Sequence, residues 1–261
     1  MIQMVKTLGM LILLYSILCC TKDTPEMPEV STMDSIIQEN IIPLPTAEGV
    51  RDFDLSSGRR DDVLPLTHNR TWNCSLFVPA RTETHLPLCI ALHGGNGDSQ
   101  AASRLMDNLI EPALKDLDMI LLAPVGGIWW SEINEQRITE LVRLVKEFWP
   151  IDTQKIVVLG YSNGGTASTY FPQKYPALFD ASIPMAGNFE GSECLPIPTY
   201  FIHGSQDENY SASLLQNKVE AQITKDCPVK LDLIPGYGHA GGPLVQQSLR
   251  NAALWLLNDI W

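Results

Sequence analysis

Nowhere does this chain carry a run of lysines or arginines able to track phosphates. Basic residues number 18 against 30 acidic ones, for a net charge of −12. That balance argues against a nucleic-acid partner. A membrane-spanning apolar run is missing as well, because the stretch Leu8 to Leu18 is too short to cross a bilayer as a helix. The six cysteines follow no zinc-ligand spacing. Internal repeats and long low-complexity runs are also lacking, which points to one folded domain. At 261 residues and 45% hydrophobic, the chain is long enough for one well-buried α/β core.

What the first residues do have is an export signal. Lys6 supplies a thin positive region, Leu8 to Leu18 the apolar one, and the segment ends Ile17-Leu18-Cys19-Cys20. This resembles a bacterial lipoprotein signal, in which a cysteine becomes the lipidated first residue of the mature chain. Cys20 fits that position best, although Ile17 and Cys19 both depart from the commonest choices there. The other reading is ordinary secretion with cleavage nearby. Either way the chain is expected to be exported, and the lipoprotein reading attaches it to a membrane of the bacterial envelope, periplasmic or surface-exposed. Residues 21–48, with Pro25, Pro28, Pro43 and Pro45 among Glu, Ser and Thr, read as a tether. The folded domain is expected over 49–261.

Four cysteines remain beyond the leader. Cys74 and Cys89 sit in strand-like runs and read as packed thiols. Cys194 and Cys227 lie in loop-like sequence, where an exported chain permits a disulfide without requiring one.

From Gly49 onward strand and helix signals alternate, the pattern of a mostly parallel sheet with helices on both faces. Val50 to Ser56 and Thr71 to Pro79 read as opening strands around a turn-rich Ser56 to Asp62. Further strands are expected at Leu86 to Leu92, Met119 to Ala123, Lys155 to Leu159, Ala181 to Met185, Thr199 to Ile202 and Lys230 to Ile234. Helices are expected at Ser99 to Leu117, broken by Pro112, at Ser131 to Trp149, after the Lys155 strand, and at Gly242 to Asn258.

The strand Lys155-Ile156-Val157-Val158-Leu159 runs straight into Gly160-Tyr161-Ser162-Asn163-Gly164. G-x-S-x-G between a strand and a helix is a nucleophile elbow, whose glycines permit a sharp turn that leaves the serine hydroxyl exposed. Alone, the motif is equally a glycine-rich surface turn, so its partners decide. A serine needs a base to take its proton and an acid to orient the base, and after an elbow the acid and then the histidine follow in chain order. His68, His85 and His93 precede Ser162. His203 would need Asp180, which stands before a strand, at the wrong edge. Asp207 lies just past a strand's carboxyl end, where ligand loops gather, and His239 follows the last strand in a flexible Gly-rich turn. The expected triad is Ser162, Asp207 and His239, with Glu208 as the alternative acid. The oxyanion is assigned to the backbone N–H groups of Asn163 and Gly95, the latter in the loop His93-Gly94-Gly95-Asn96-Gly97. Trp129 and Trp130 follow a strand end and border the site, to hold an acyl chain, an aryl group or a sugar, or else to pack beneath the loop. Phe189, Tyr210 and Tyr237 occupy comparable loops.

Together, Leu92-His93-Gly94-Gly95, Gly160-Tyr161-Ser162-Asn163-Gly164-Gly165, His203-Gly204-Ser205-Gln206-Asp207 and Gly238-His239 resemble the α/β-hydrolase superfamily. They are most similar to its phospholipase/carboxylesterase, dienelactone-hydrolase-like and polyhydroxybutyrate-depolymerase or feruloyl-esterase groups. Asn163 stands where many thioesterase-like members carry Gln, which weakens a protein-thioesterase reading. The short segment between Gly187 and Thr199 leaves no room for a large inserted lid. The resemblance implies an α/β-hydrolase fold and a serine carboxyl-ester hydrolase that forms an acyl-enzyme without metal or cofactor. Its substrate would be a small-molecule or a glycan- or polymer-linked ester. A serine peptidase on the same fold shares the triad. A non-catalytic surface lipoprotein binding through Trp129 and Trp130 has no need of all three groups.

Overall fold

The protein's structure, a computed structural model, describes residues 48–261 except 68–69, 81–84, 96 and 192. The expected signal, Cys20 and almost all of the tether lie outside the described residues. An eight-stranded sheet organises the rest, in the order β1-β2-β4-β3-β5-β6-β7-β8. The strands are β1 (Gly58–Pro65), β2 (Thr71–Val78), β3 (Leu86–Leu92), β4 (Ile120–Pro124), β5 (Ile151–Tyr161), β6 (Ala181–Met185), β7 (Thr199–Gly204) and β8 (Val229–Ile234). Only the β1–β2 and β2–β4 pairings are antiparallel; β3 through β8 run parallel.

Alternation along the central strands builds a core on each face. Leu88, Ile90, Leu92, Ile156 and Val158 meet Ile138, Leu141 and Val145 of helix α4 and Phe171 of α5. Cys89, Ala91, Leu121, Val157 and Leu159 meet Met106, Ile110, Leu249 and Ala253 on the other side. The helices are α1 (Glu48–Arg51), α2 (Ala101–Leu105), α3 (Glu111–Leu114), α4 (Glu132–Phe148), α5 (Asn163–Lys174), α6 (Ala212–Ile223) and α7 (Pro243–Trp255). Between α2 and α3 the chain makes a π-helical turn, Met106–Ile110, where the expected helix meets Pro112, and a second one, Leu256–Ile260, follows α7.

Two expectations fail at the edges. Val50 to Ser56 is not a strand; the opening strand is β1, and it contains most of the segment expected to turn. Its charged sequence Arg59-Arg60-Asp61-Asp62 lacks strand propensity, but pairing with β2 overrides that. Charge on an edge strand also guards it from pairing with other chains. Helix α6 has no counterpart among the helices expected from the sequence. Its buried residues Leu215, Val219 and Gln222 keep helical spacing, but exposed Leu214 and Ile223 blur the stripe. Its start is capped by Ser211, whose hydroxyl accepts the Leu214 N–H.

Cys194 and Cys227 are disulfide-bonded, with their Cα atoms 5.5 Å apart. Cys74 and Cys89 are buried free thiols. Burial, then the nearby charge of Asp62, pushes the Cys74 thiol up to about 12, and burial alone raises Cys89. Among the described residues no helix is long and apolar enough to cross a membrane.

Candidate active site

Strand β5 delivers Ser162 into a backbone conformation of φ 56° and ψ −118°, one that L-residues rarely adopt and that costs on the order of 1–3 kcal/mol. The turn is held by the Ser162 N–H, which donates to Met185 O at 2.9 Å. Its glycines are demanded by crowding. A Cβ at Gly164 would stand 1.8 Å from Leu92 O, and one at Gly160 would stand 2.2 Å from Gly164 O. So the elbow is wedged between β3 and α5, and the serine side chain projects from the carboxyl end of the sheet.

Asp207 and His239 reach the same place from loops after β7 and β8. His239 Nε2 lies 2.9 Å from Ser162 Oγ, and His239 Nδ1 lies 2.9 Å from Asp207 Oδ2. With Nδ1–H donating to the carboxylate, Nε2 is left with its lone pair facing the serine hydroxyl. Asp207 is fully buried, and burial alone would raise its carboxyl. The N–H groups of Tyr210 and Asn209, both at 2.8 Å to Oδ1, and the His239 ring outweigh that and hold it below the usual aspartate range. The structure therefore brings Ser162, His239 and Asp207 into one hydrogen-bonded line.

Three further groups aim His239. Glu208 accepts its backbone N–H at 2.8 Å, the Tyr161 hydroxyl donates to its carbonyl, and the Tyr210 ring lies 5.6 Å away, tilted. Glu208 thus holds the backbone of His239 rather than its ring. Burial raises the Tyr161 phenol to about 12, helped by the charges of Asp207 and Glu208. His203 is buried too: its Nε2–H donates to Tyr210 O at 2.9 Å and sits 3.5 Å from Asp207 Oδ2. Asp180 is placed as expected at the far edge, where its carboxylate accepts the Ile156 N–H at 3.0 Å.

The loop after β3 packs directly on the elbow. A Cβ at Gly94 would come 2.9 Å from Ser162 Cβ, and Asn163 Nδ2 donates to Gly95 O at 3.3 Å. Asn163 Oδ1 in turn accepts the Tyr210 hydroxyl at 3.2 Å, linking this loop to that of the acid. Asn163 opens α5, and the first N–H groups of a helix have no intrahelical acceptor. His93 pins the loop. Its Nε2 accepts the Gly126 N–H at 2.9 Å and its Nδ1–H donates to Gly94 O at 3.0 Å. Burial lowers its pKa, against the opposing pull of those hydrogen bonds, and favours this neutral form.

Trp129 does not line the site. It is completely buried, its indole N–H donates to His93 O at 2.9 Å, and its ring fills the space over Gly126. Phe189 is likewise core, packed on Phe201. Trp130 is 43% exposed and borders a hollow beside α5. The roles of His93 and Tyr161 were beyond sequence order, since they depend on backbone partners distant in the chain, and Glu208, the alternative acid by sequence, holds the His239 backbone instead.

A parallel sheet flanked by helices, with an elbow serine at the carboxyl edge, defines the α/β-hydrolase fold. Residues 89–242 match the model of the dienelactone hydrolase family. The chain belongs to that family. It is 27% identical over 143 residues to protein usf of Aquifex pyrophilus, covering 53% of this chain and 54% of that one. It is 21% identical over 179 residues to a bifunctional acetylxylan esterase/xylanase of Neocallimastix patriciarum, covering 64% of this chain and 26% of that protein. The chain spans about half the length of the first of these relatives and less of the second. Among solved structures, esterase 2 of Thermogutta terrifontis phosphorylated by paraoxon superposes with a TM-score of 0.62 at 16% identity, covering 77% of this chain and 94% of that one.

Proposed function

We propose that the protein is a serine carboxyl-ester hydrolase acting through Ser162, His239 and Asp207. The observation that carries this reading is the unbroken line of two 2.9 Å hydrogen bonds from Asp207 through His239 to Ser162. His239 Nε2 takes the serine proton as Oγ bonds to the ester carbonyl carbon, and the carbonyl oxygen becomes an oxyanion. The backbone N–H groups of Asn163 and Gly95 receive that charge. The imidazolium, held by ionised Asp207, then protonates the alcohol oxygen as the C–O bond breaks, leaving Ser162 acylated. Water, deprotonated by the same imidazole, attacks the acyl carbon; acid leaves and Ser162 regains its proton. Family membership and the esterase named among its relatives support ester over peptide substrates.

The test is a panel of p-nitrophenyl esters set against peptide anilides. The wild type should cleave the esters far faster, and Ser162→Ala should lower kcat on the order of 10⁴-fold. Preference for anilides would make the protein a peptidase.

We further propose that the enzyme works at the bacterial envelope, held by lipid on Cys20. Support comes from the sequence alone: the apolar leader ending at Cys19-Cys20, and a proline-rich tether after it. Several acyl chains on one terminal cysteine hold firmly where a single chain does not. Full-length protein should partition into detergent, and Cys20→Ser should abolish this; an unmodified mature terminus elsewhere would end the reading.

A further inference from the structure

Two hollows border the segments on either side of Ser162 in the chain, one reaching Tyr161 and the other Thr166. One, of about 260 Å³, is lined by Leu105, Leu109, Tyr161, Gly241 and Gly242 among others, and so borders the loop that carries His239. The other, of about 220 Å³, lies between Trp130, Thr166, Thr169, Tyr170, Gln173 and Glu190. The Thr166 N–H donates to Ser162 O at 2.9 Å, so this second hollow begins one helical turn from the nucleophile.

Its chemistry is decided by where its polar atoms go. Thr169 Oγ1–H donates to Thr166 O at 2.8 Å, and Thr166 Oγ1 accepts the Asn188 N–H at 2.9 Å. The Tyr170 hydroxyl donates to Glu135. Gln173 Nε2 donates to Glu190 O at 2.9 Å, and Glu190 Oε1 accepts from Asn188 Nδ2 at 2.7 Å. These bonds all run within the protein framework. What is left for a ligand is mainly threonine methyls and the Trp130 and Tyr170 rings. A sugar placed here would lose water from its hydroxyls with few protein partners in return. The segment that carries Trp130 is itself apolar at the surface: Ile128 is 55%, Trp130 43% and Ile133 46% exposed, three large apolar side chains within six residues.

Proton transfer separates the two hollows. His239 must hand its proton to the departing alcohol oxygen, so the alcohol lies toward His239. The acyl group stays bonded to Ser162 and extends the other way. No lining residue of the Trp130 hollow belongs to the His239 loop. At about 220 Å³ the hollow has room for an acyl group larger than acetyl.

We propose that the Trp130 hollow is the acyl-binding subsite and selects esters of apolar acids, aromatic or medium-chain, over acetate and over sugar acids. The proposal rests on the hydrolase reading of Ser162. Its test compares p-nitrophenyl acetate, hexanoate and benzoate on the full chain for the wild type, Trp130→Ala and Trp130→Phe. The ratio of kcat/KM for hexanoate or benzoate to that for acetate should fall about tenfold in Trp130→Ala and recover to within about threefold of wild type in Trp130→Phe. A second series keeps hexanoate and varies the alcohol; the loss in Trp130→Ala should be the same for each. An equal loss on every acyl group, or a loss that follows the alcohol, overturns the assignment while leaving the hydrolase intact. A wild type inactive on all esters overturns both.

Discussion

The carboxylate of Glu208 accepts the backbone N–H of His239 at 2.8 Å, while the adjacent Asp207 takes the ring N–H of the same residue at 2.9 Å. Two neighbouring acids thus serve one histidine, one aiming the loop and the other the imidazole. The division predicts unequal mutants. Asp207→Asn should cost about 10²- to 10⁴-fold in kcat, because an amide favours the wrong imidazole tautomer. Glu208→Gln keeps an acceptor for the N–H and should cost less than about tenfold, with Glu208→Ala worse than Glu208→Gln. Steady-state kinetics decide it: a larger loss in Glu208→Gln than in Asp207→Asn would make Glu208 the acid.

The elbow predicts a trade of activity against stability. Ser162 keeps its Cβ at φ 56°, a strain that alanine retains and glycine relieves. Ser162→Gly and Ser162→Ala should both be inactive, yet the glycine variant should be the more stable by about 1 kcal/mol, or roughly 2–4 °C in Tm for a domain of this size. Equal melting temperatures would mean that the turn stores no such strain.

Acid should act on the site and on the fold through different groups. A histidine base works only when neutral, so activity should decline toward acid pH. Asp207, held below the usual range, stays ionised there; the stability it adds is present above about pH 3.9 and is lost as pH falls through its lowered folded value. His93 acts earlier. Its folded pKa lies below the unfolded value of about 6.5, so the unfolded chain takes up a proton first and stability drops as pH falls from there. Urea midpoints should decrease between pH 7 and pH 5, and His93→Gln should flatten that slope. A wild-type midpoint independent of pH over this range would contradict the burial of a neutral His93.

Much of this was legible because the sequence states it locally. Strand β6 begins and ends where its apolar run does, and Ser162, Asp207 and His239 each follow an aliphatic strand, so chain order alone brought them to one edge. Neighbours set by long-range packing were less legible. Nothing local marks Arg59 to Asp62 as a strand, because β2 supplies the pairing that makes it one. Trp129 and Trp130 look alike in sequence; the first lies under the His93 loop and the second stands at the rim. The cysteines 194 and 227 permitted a bond that only the approach of their Cα atoms to 5.5 Å establishes.

The central claim is that His239 and Asp207 activate Ser162, and covalent labelling tests it most directly. The purified protein is treated with a fluorophosphonate, the adduct is located by peptide mass spectrometry, and His239→Ala is run alongside. One adduct per chain on Ser162, formed far more slowly in the His239 variant, is the predicted result. No adduct, one on another residue such as Ser205, or equal labelling without the imidazole would contradict the account.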